Sequence, residues 1–304
     1  MSTSRVPASD TYATVGARIG EPLGITLDPR PERPVGGGSI SQSHRWKGSS
    51  GPLFVKMGPA AHLAMFEAEA EGLKELASAV AVRVPRVLAV GVGVHSAFLA
   101  LEWIDLVGSP SAGAQLGEQL ARQHRKSAES FGWHRDNTIG STPQINTRSA
   151  SWRDFFREHR LKFQLELAAS NGHKGRLQER GAELLQSFDT FFTDHNPQPS
   201  LLHGDLWSGN AGVGKGGMPV IFDPAVYYGD READIAMTHL FGGFSASFYS
   251  AYESAWPLPK SAQKRVDLYN LYHLLNHLNL FGAGYLTQCE QTIDALLREK
   301  KQRT

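Results

Sequence analysis

A chain of 304 residues, 41% hydrophobic and 20% charged, has the composition of a soluble globular protein and the length for one large domain or two ordinary ones. A formal net charge of +1 offers no basic field for nucleic acid, and no apolar run reaches the length that crosses a membrane. The single Cys289 excludes an internal disulfide and suits a reducing cytoplasm, while residues 1–20 lack the apolar core of a signal peptide.

Those first twenty residues read as a helix or an extended lead-in. Pro31 to Pro34 mark a turn, and Gly36-Gly37-Gly38-Ser39-Ile40-Ser41 follows. Glycines between two strands let backbone N–H groups approach phosphates, so Gly37, Gly38 and Ser39 are candidate phosphate contacts. Gly51-Pro52 turns the chain into a short strand, Leu53 to Met57, with Lys56 near its end. A lysine here either snorkels into solvent or pairs with nucleotide phosphates and an inward carboxylate. The next helix has Pro59 in its first turn and carries Leu63, Phe66, Ala70, Leu73 and Ala77 as one stripe. Glu69, three after Phe66 and four before Leu73, lies nearest that stripe; Glu67 is farther off and Glu71 points mostly away. An inward carboxylate needs a cation, and Lys56 is the available one, with Glu67 as the reserve partner.

Val87–Val92 and Ser96–Trp103 then pair and complete a small antiparallel sheet. Backbone groups of Glu102, Trp103 and Ile104 either hydrogen-bond a nucleobase edge or form a plain linker. The Gly/Ser/Pro segment near 107–113 divides a nucleotide-binding lobe, 1–104, from a catalytic and substrate-binding lobe, 105–304. Beyond it the chain is helical, with His124 a core histidine. Phe131 to Gln144 reads as a long loop, in which Trp133, Asp136 and Asn137 suit a polyhydroxylated ligand or simply hold an Ω-loop together. Trp152 begins an amphipathic helix, and Leu177–Phe192 forms another, packed behind the strand that follows.

That strand, Leu201-Leu202, runs into His203-Gly204-Asp205-Leu206-Trp207-Ser208-Gly209-Asn210. Asp205 precedes Asn210 by five positions, the spacing of the base and the metal-binding Asn in kinase catalytic loops. Gly214-Lys215-Gly216-Gly217 is a hairpin turn, and Val220-Ile221-Phe222 returns to Asp223. The hairpin therefore brings Asn210 and Asp223 to one Mg²⁺, a cation that takes a few hard oxygen ligands beside phosphates. Asp205 is left to orient an attacking hydroxyl and accept its proton. Asp234 reads as a helix cap, and Arg231 as a partner of Asp230, Glu232 or the metal loop. From Phe244 the chain is helical.

Taken together, Phe54-Val55-Lys56, Met65-Phe66-Glu67-Ala68-Glu69, Phe131-Gly132-Trp133 with Asp136-Asn137-Thr138-Ile139-Gly140, the His203–Asn210 run, Phe222-Asp223-Pro224-Ala225 and Tyr228–Asp234 resemble the fructosamine kinase (ketosamine-3-kinase) family. That family is a branch of the aminoglycoside phosphotransferase-like group within the protein-kinase-like fold. The resemblance implies an α+β, two-lobed protein-kinase-like fold, with a small antiparallel-sheet N-lobe and a mainly helical C-lobe. It implies ATP and Mg²⁺ as cofactors, and phosphorylation of the sugar 3-hydroxyl of a ketosamine on lysine or protein. The unstable product releases its amine, so the activity is one of protein deglycation. Asp205 then matches the base, Asn210 and Asp223 the Mg²⁺ ligands, and Lys56 with Glu69 the phosphate anchor. Trp207 lies where the sugar packs. Two departures from protein kinases, Gly204 beside the base and Pro224 after the metal Asp, argue against activation by loop phosphorylation. The glycine loop has no Cys, which argues against the redox-controlled dimers of some relatives; oligomeric state is left open. The alternative is a kinase of the same fold for an aminoglycoside, choline or a similar alcohol. A silent nucleotide-binding protein would lack one of these groups, and a hydrolase built on His203, Asp205 and Asp223 would leave Lys56 unused.

Overall fold

The computed structural model describes residues 10–36, 41–107 and 113–301. Gly37, Gly38 and Ser39, expected at the phosphates, lie outside the described residues. The first third of the chain builds one antiparallel sheet. Its strands are β1 (Arg33–Pro34), β2 (Gln42–Gly48), β3 (Gly51–Pro59), β4 (Val87–Val92) and β5 (Ser96–Glu102), in the order β1-β2-β3-β5-β4. Two helices cover it, α1 (Asp10–Leu23) and α2 (Leu63–Ala77).

Period-two alternation decides which helix each strand residue meets. On β3, Leu53, Val55 and Met57 are buried with Val15 and Ile19 of α1, and with Trp46, Phe98 and Ala100. On β5, Ala97, Leu99 and Leu101 point the other way, into the core that Phe66, Ala70, Leu73 and Leu76 of α2 share. Lys56 alternates with Val55 and so stands on the α2 side. The strand runs on to Pro59, which places Lys56 within it, not at its end. Pro59 accordingly closes β3 and precedes a single 3₁₀ turn, and α2 begins only at Leu63.

The rest of the chain is mainly helical: α3 (Gly113–His124), α4 (Trp152–Phe156), α5 (Phe163–Ser170), α6 (Arg176–Gln186), α7 (Arg231–Leu240), α8 (Ala246–Ala255), α9 (Val266–Phe281) and α10 (Leu286–Lys301). A π-helical turn, Arg157–Lys162, joins α4 to α5. It seats the fully buried Arg160 over the rings of Phe155 and Tyr227, where its guanidinium donates to Ile145 O at 2.6 Å and Asn146 Oδ1 at 2.7 Å. Helix α9 is buried nearly all round, polar Asn270, His273 and Asn276 included, because it is central, touching α5, α7 and α10. Helix α6, expected behind the catalytic strand, packs mainly on α10; α3 and α7 back that strand instead.

Two hairpins and one antiparallel pair distant in sequence carry the polar loops: β6 (Asn137–Ile139) with β7 (Thr142–Gln144), β9 (Ala211–Val213) with β10 (Pro219–Ile221), and β8 (Ser200–Leu202) with β11 (Tyr227–Gly229). The 131–144 stretch is thus partly strand, which the turn formers around Gly140 obscure in the sequence. Helix α7 is capped by Asp230, whose side chain accepts from Glu232 N. Asp234, expected as the cap, is in the first turn and has another task. Arg231 bonds the Trp256 and Pro257 carbonyls and Tyr252, and lies 3.9 Å from the Trp256 ring centroid, not on the loop expected to hold a metal.

Candidate active site

Strand β8 ends at Leu202, and the loop that follows is fixed by backbone N–H groups with assigned acceptors. The buried Asp234 carboxylate takes His203 N at 2.7 Å and Gly204 N at 2.9 Å. His203 uses both ring nitrogens: Nε2 lies 3.0 Å from Phe222 O and Nδ1 accepts Asp205 N at 3.3 Å. A His with both nitrogens engaged is not a metal ligand; it staples the loop to β10. Gly204 turns at φ +83°, and a Cβ there would lie 2.0 Å from Ala225 O. Only glycine lets the 203–205 backbone approach the segment after Asp223 so closely.

The turn delivers Asp205 to the floor of a cleft between the two lobes. Asn210 Nδ2 donates to Asp205 O at 2.9 Å and Oδ2 at 3.1 Å. Burial, and then the charge of Asp223, push the Asp205 carboxyl up to about 7, against the Asn210 hydrogen bond. Asp223 itself sits at φ +57°, an uncommon conformation for a non-glycine residue. Its Oδ1 is held by Lys56 Nζ at 2.8 Å, and the same ammonium holds Glu69 Oε1 at 2.7 Å. Burial works against the Lys56 charge, but Asp223 and Glu69 outweigh it and hold the ammonium above its usual range. Burial also raises Glu69, partly offset by Lys56. The helix-phase argument that selected Glu69 over Glu67 agrees with this contact.

Glu71 and Glu75, on the other side of α2, reach the second lobe. Glu71 meets His134 and Arg135 at 2.8 Å each, and Glu75 meets Tyr228 and Lys126 at 2.8 Å each. Exposed pairs add little stability one by one. Here they fix the rotation of α2, and with it the position of Glu69.

Two pockets meet in the cleft. One is lined by Lys56, Glu69, Thr138, Asp205, Trp207, His277 and Phe281, among others; the second is an apolar slot under Phe54, Leu101, Trp103, Ile104, Leu106 and Phe222. Asn210 and Asp223 are the residues that line both. Glu102 also lines the slot, although its carboxylate turns to Arg86 N at 3.1 Å, and the Trp103 indole donates to Asp105 at 2.6 Å. That leaves main chain and ring faces as what this hinge offers a planar ligand.

Of the expected substrate contacts, Trp207 is exposed on the pocket wall. Trp133 is not among the lining residues; at 5% exposure it is core. Asp136 is spent on Asn146 N at 2.7 Å. Asn137 reaches the pocket wall but donates to Val226 O at 2.8 Å and accepts from Gln144 and Asn146. It props the segment behind Asp223. Asn276, His277, Leu280 and Phe281, from the end of α9, line the same pocket without any local motif to announce them.

A divalent cation fits at Asn210 and Asp223. The network turns the Asn210 amide nitrogen toward Asp205, which leaves its carbonyl oxygen as the free end. One Asp223 oxygen is on Lys56, and the other remains. Two hard oxygens between an apolar slot and a polar pocket suit Mg²⁺. A second acidic group, His195, Asp230 and Glu232, does not invite a cation, because Arg265 holds Glu232 at 2.8 and 2.9 Å and Tyr269 donates to Asp230 at 2.5 Å.

The fructosamine kinase family profile matches residues 12–299. A protein named as a probable ketoamine kinase in Synechocystis sp. is 42% identical over 289 residues, covering 94% of this chain and 97% of its own. The chloroplastic protein-ribulosamine 3-kinase of Arabidopsis thaliana is 43% identical over 270 residues, with 88% and 82% covered. Crystal structures of candidate fructosamine-3-kinases superpose closely. That from Haemophilus somnus has a TM-score of 0.85 at 27% identity, covering 94% of this chain and 98% of that one. That from Thermobifida fusca has 0.82 at 34% identity, covering 94% and 99%. The aminoglycoside phosphotransferase APH(4)-Ia, in a ternary complex with ADP and hygromycin B, shares the two-lobed fold at a TM-score of 0.61 and 14% identity, covering 94% and 98%.

Proposed function

The chain belongs to the fructosamine kinase family, and from that membership we propose that it transfers the terminal phosphoryl group of ATP to the sugar 3-hydroxyl of a ketosamine carried on lysine or protein. The observation that supports this most is the junction at Asn210 and Asp223, where the slot and the polar pocket meet with Asp205 on the polar side only. A phosphoryl group handed from one pocket to the other must cross there.

In this reading the adenine enters the slot against Trp103 and Ile104, and Lys56, held by Glu69, steadies the phosphates. Asn210 and Asp223 would hold Mg²⁺, which would supply charge neutralisation for the phosphate oxygens. The ketosamine sugar sits against Trp207 with its hydroxyl at Asp205. Asp205 orients that hydroxyl and accepts its proton as the oxygen bonds to the γ-phosphorus and the bond to the β-phosphate oxygen breaks, releasing ADP. The rigid Asp234–His203 staple keeps the base in place without a loop that needs phosphorylation.

Phosphorylation at the 3-position makes the adduct labile, so the amine is released and the lysine is restored. We place this activity in a reducing compartment such as the cytoplasm. There Cys289, buried and with its thiol pushed up to about 12 by burial, stays inert. Among the described residues no helix is long and apolar enough to cross a membrane.

The test is ATP consumption with ribulosyl-lysine, fructosyl-lysine and an aminoglycoside panel, with Asp205→Asn as the companion variant. Turnover with the ketosamines, reduced by roughly 10²–10⁴ in the variant, is the expected result. Turnover confined to aminoglycosides, or near-normal turnover in Asp205→Asn, would overturn the assignment.

A further inference from the structure

The sequence has six tryptophans and fifteen phenylalanines, all among the described residues, and only Trp207, Phe241 and Phe281 are exposed, at 37%, 40% and 51%. They are neighbours in space although they come from the catalytic loop, the end of α7 and the end of α9. The Trp207 ring lies 6.0 Å from Phe241, which lies 5.0 Å from His277; His277 lies 5.3 Å from Phe281 and 5.1 Å from Tyr285. Trp207, His277 and Phe281 line the pocket that holds Asp205. The rings therefore form one joined strip: Trp207, His277 and Phe281 line the pocket, and the exposed Phe241 bridges Trp207 and His277 beside it. Scattered exposed aromatics need no explanation, but a joined set of them does.

The chemistry of the strip is specific. His277 Nδ1 lies 2.8 Å from His273 O, and burial holds the imidazole below its ordinary value, so the strip is uncharged. Aromatic faces without a competing cation attract an ammonium and cover methylene groups. A ketosamine on lysine presents both in order: a secondary ammonium next to the sugar, then four methylenes. With the sugar hydroxyl at Asp205, a stem that leaves the pocket along its Trp207, His277 and Phe281 wall passes over these rings.

We propose that Phe241, His277 and Phe281 form an acceptor subsite for the aliphatic stem of a lysine, so that ketosamines on lysine are preferred over those on an amine without that stem. The inference deepens the ketosamine assignment and rests on it. The experiment compares kcat/KM for two acceptors with one sugar: a ribulosyl-lysine within a short peptide, and ribulosyl-methylamine, which has no stem. It uses the wild type, Phe241→Ser, Phe281→Ser and the double variant. The readout is the ratio of the two values within each enzyme, which a fraction of misfolded protein does not alter. The wild type should favour the peptide. Each single variant should lower the ratio by about tenfold, the equivalent of roughly 1.4 kcal/mol, or about two methylenes returned to water. A wild-type ratio near one, or a ratio unchanged in the double variant, overturns the subsite while leaving the kinase assignment intact. Failure of the wild type to phosphorylate either acceptor is a different result: it removes the ketosamine assignment, and the subsite with it.

Discussion

Gly204→Ala tests the geometry on which the active site depends. Gly204 is at φ +83°, and an L-residue there costs roughly 1–2 kcal/mol. The added Cβ would stand 2.0 Å from Ala225 O and 2.7 Å from Ala225 C, so the backbone must retreat by more than 1 Å to reach ordinary contact at 3.4 Å. That retreat strains two hydrogen bonds, Gln144 Nε2 to Ala225 O at 3.0 Å and Ala225 N to His203 O at 2.9 Å, each worth about 1 kcal/mol. The total is about 3–4 kcal/mol, from strain and lost bonds together. Asp223, the proposed cation ligand, lies two residues before Ala225, and misplacing such a group by about 1 Å lowers turnover by roughly 10². Urea unfolding gives the stability and ATP consumption gives the turnover. Gly172→Ala is the control: φ is +93° there, but nothing lies within 4 Å of the added Cβ, so only the conformational cost applies and turnover is kept. Equal stability losses in the two variants, or wild-type turnover in Gly204→Ala, would refute the argument from close approach.

Other expectations follow from the same contacts. Lys56→Met removes the cation that both Glu69 and Asp223 face; activity should fall by at least about tenfold with a raised KM for ATP, and an unchanged ATP profile would reject the anchor role. His273 is buried, and burial first, then His277, lowers its imidazole to about 3. Because the folded value lies below the ordinary 6.5, this group's stability contribution is complete above 6.5 and is lost as pH falls from there toward 3. His273→Leu should therefore flatten the acid limb of the stability curve by up to about 1.4 kcal/mol per pH unit, and parallel limbs in the two proteins would count against it. Glu71→Gln with Glu75→Gln should change stability by no more than about 1 kcal/mol, since these pairs are exposed or half-exposed, yet should raise the KM for ATP by freeing the rotation of α2. Stability loss without a KM change would make the two glutamates mere surface pairs.

Much of the site was legible because it is local. Asp205 and Asn210 share one loop, so their spacing survives in the sequence. The hairpin β9–β10 closes over a glycine turn, so Asp223 could be placed beside Asn210 from turn chemistry alone. Lys56 and Glu69 were found by two periodicities, two for the strand and 3.6 for the helix, which are properties of the backbone. The boundaries slipped where those periodicities ended: Lys56 looked terminal because Gly58 and Pro59 do not look like strand, though pairing with β5 carries β3 through them.

What the sequence by itself determined is the chemical inventory and its local order: base, amide, carboxylate, ammonium, and the turns between them. The assignment of Asp234 to the loop at His203 and Gly204, of Asn137 to the segment behind Asp223, of Trp133 to the core, and of His277 and Phe281 to the pocket wall with Phe241 against His277 was decided by tertiary structure alone. Each depends on which distant segment packs against which, and an apolar or polar side chain carries no mark of the partner it will meet. Periodicity reports the face a residue occupies; only the docking of α7, α9 and the small hairpins decides whether that face closes a core or opens on a cleft.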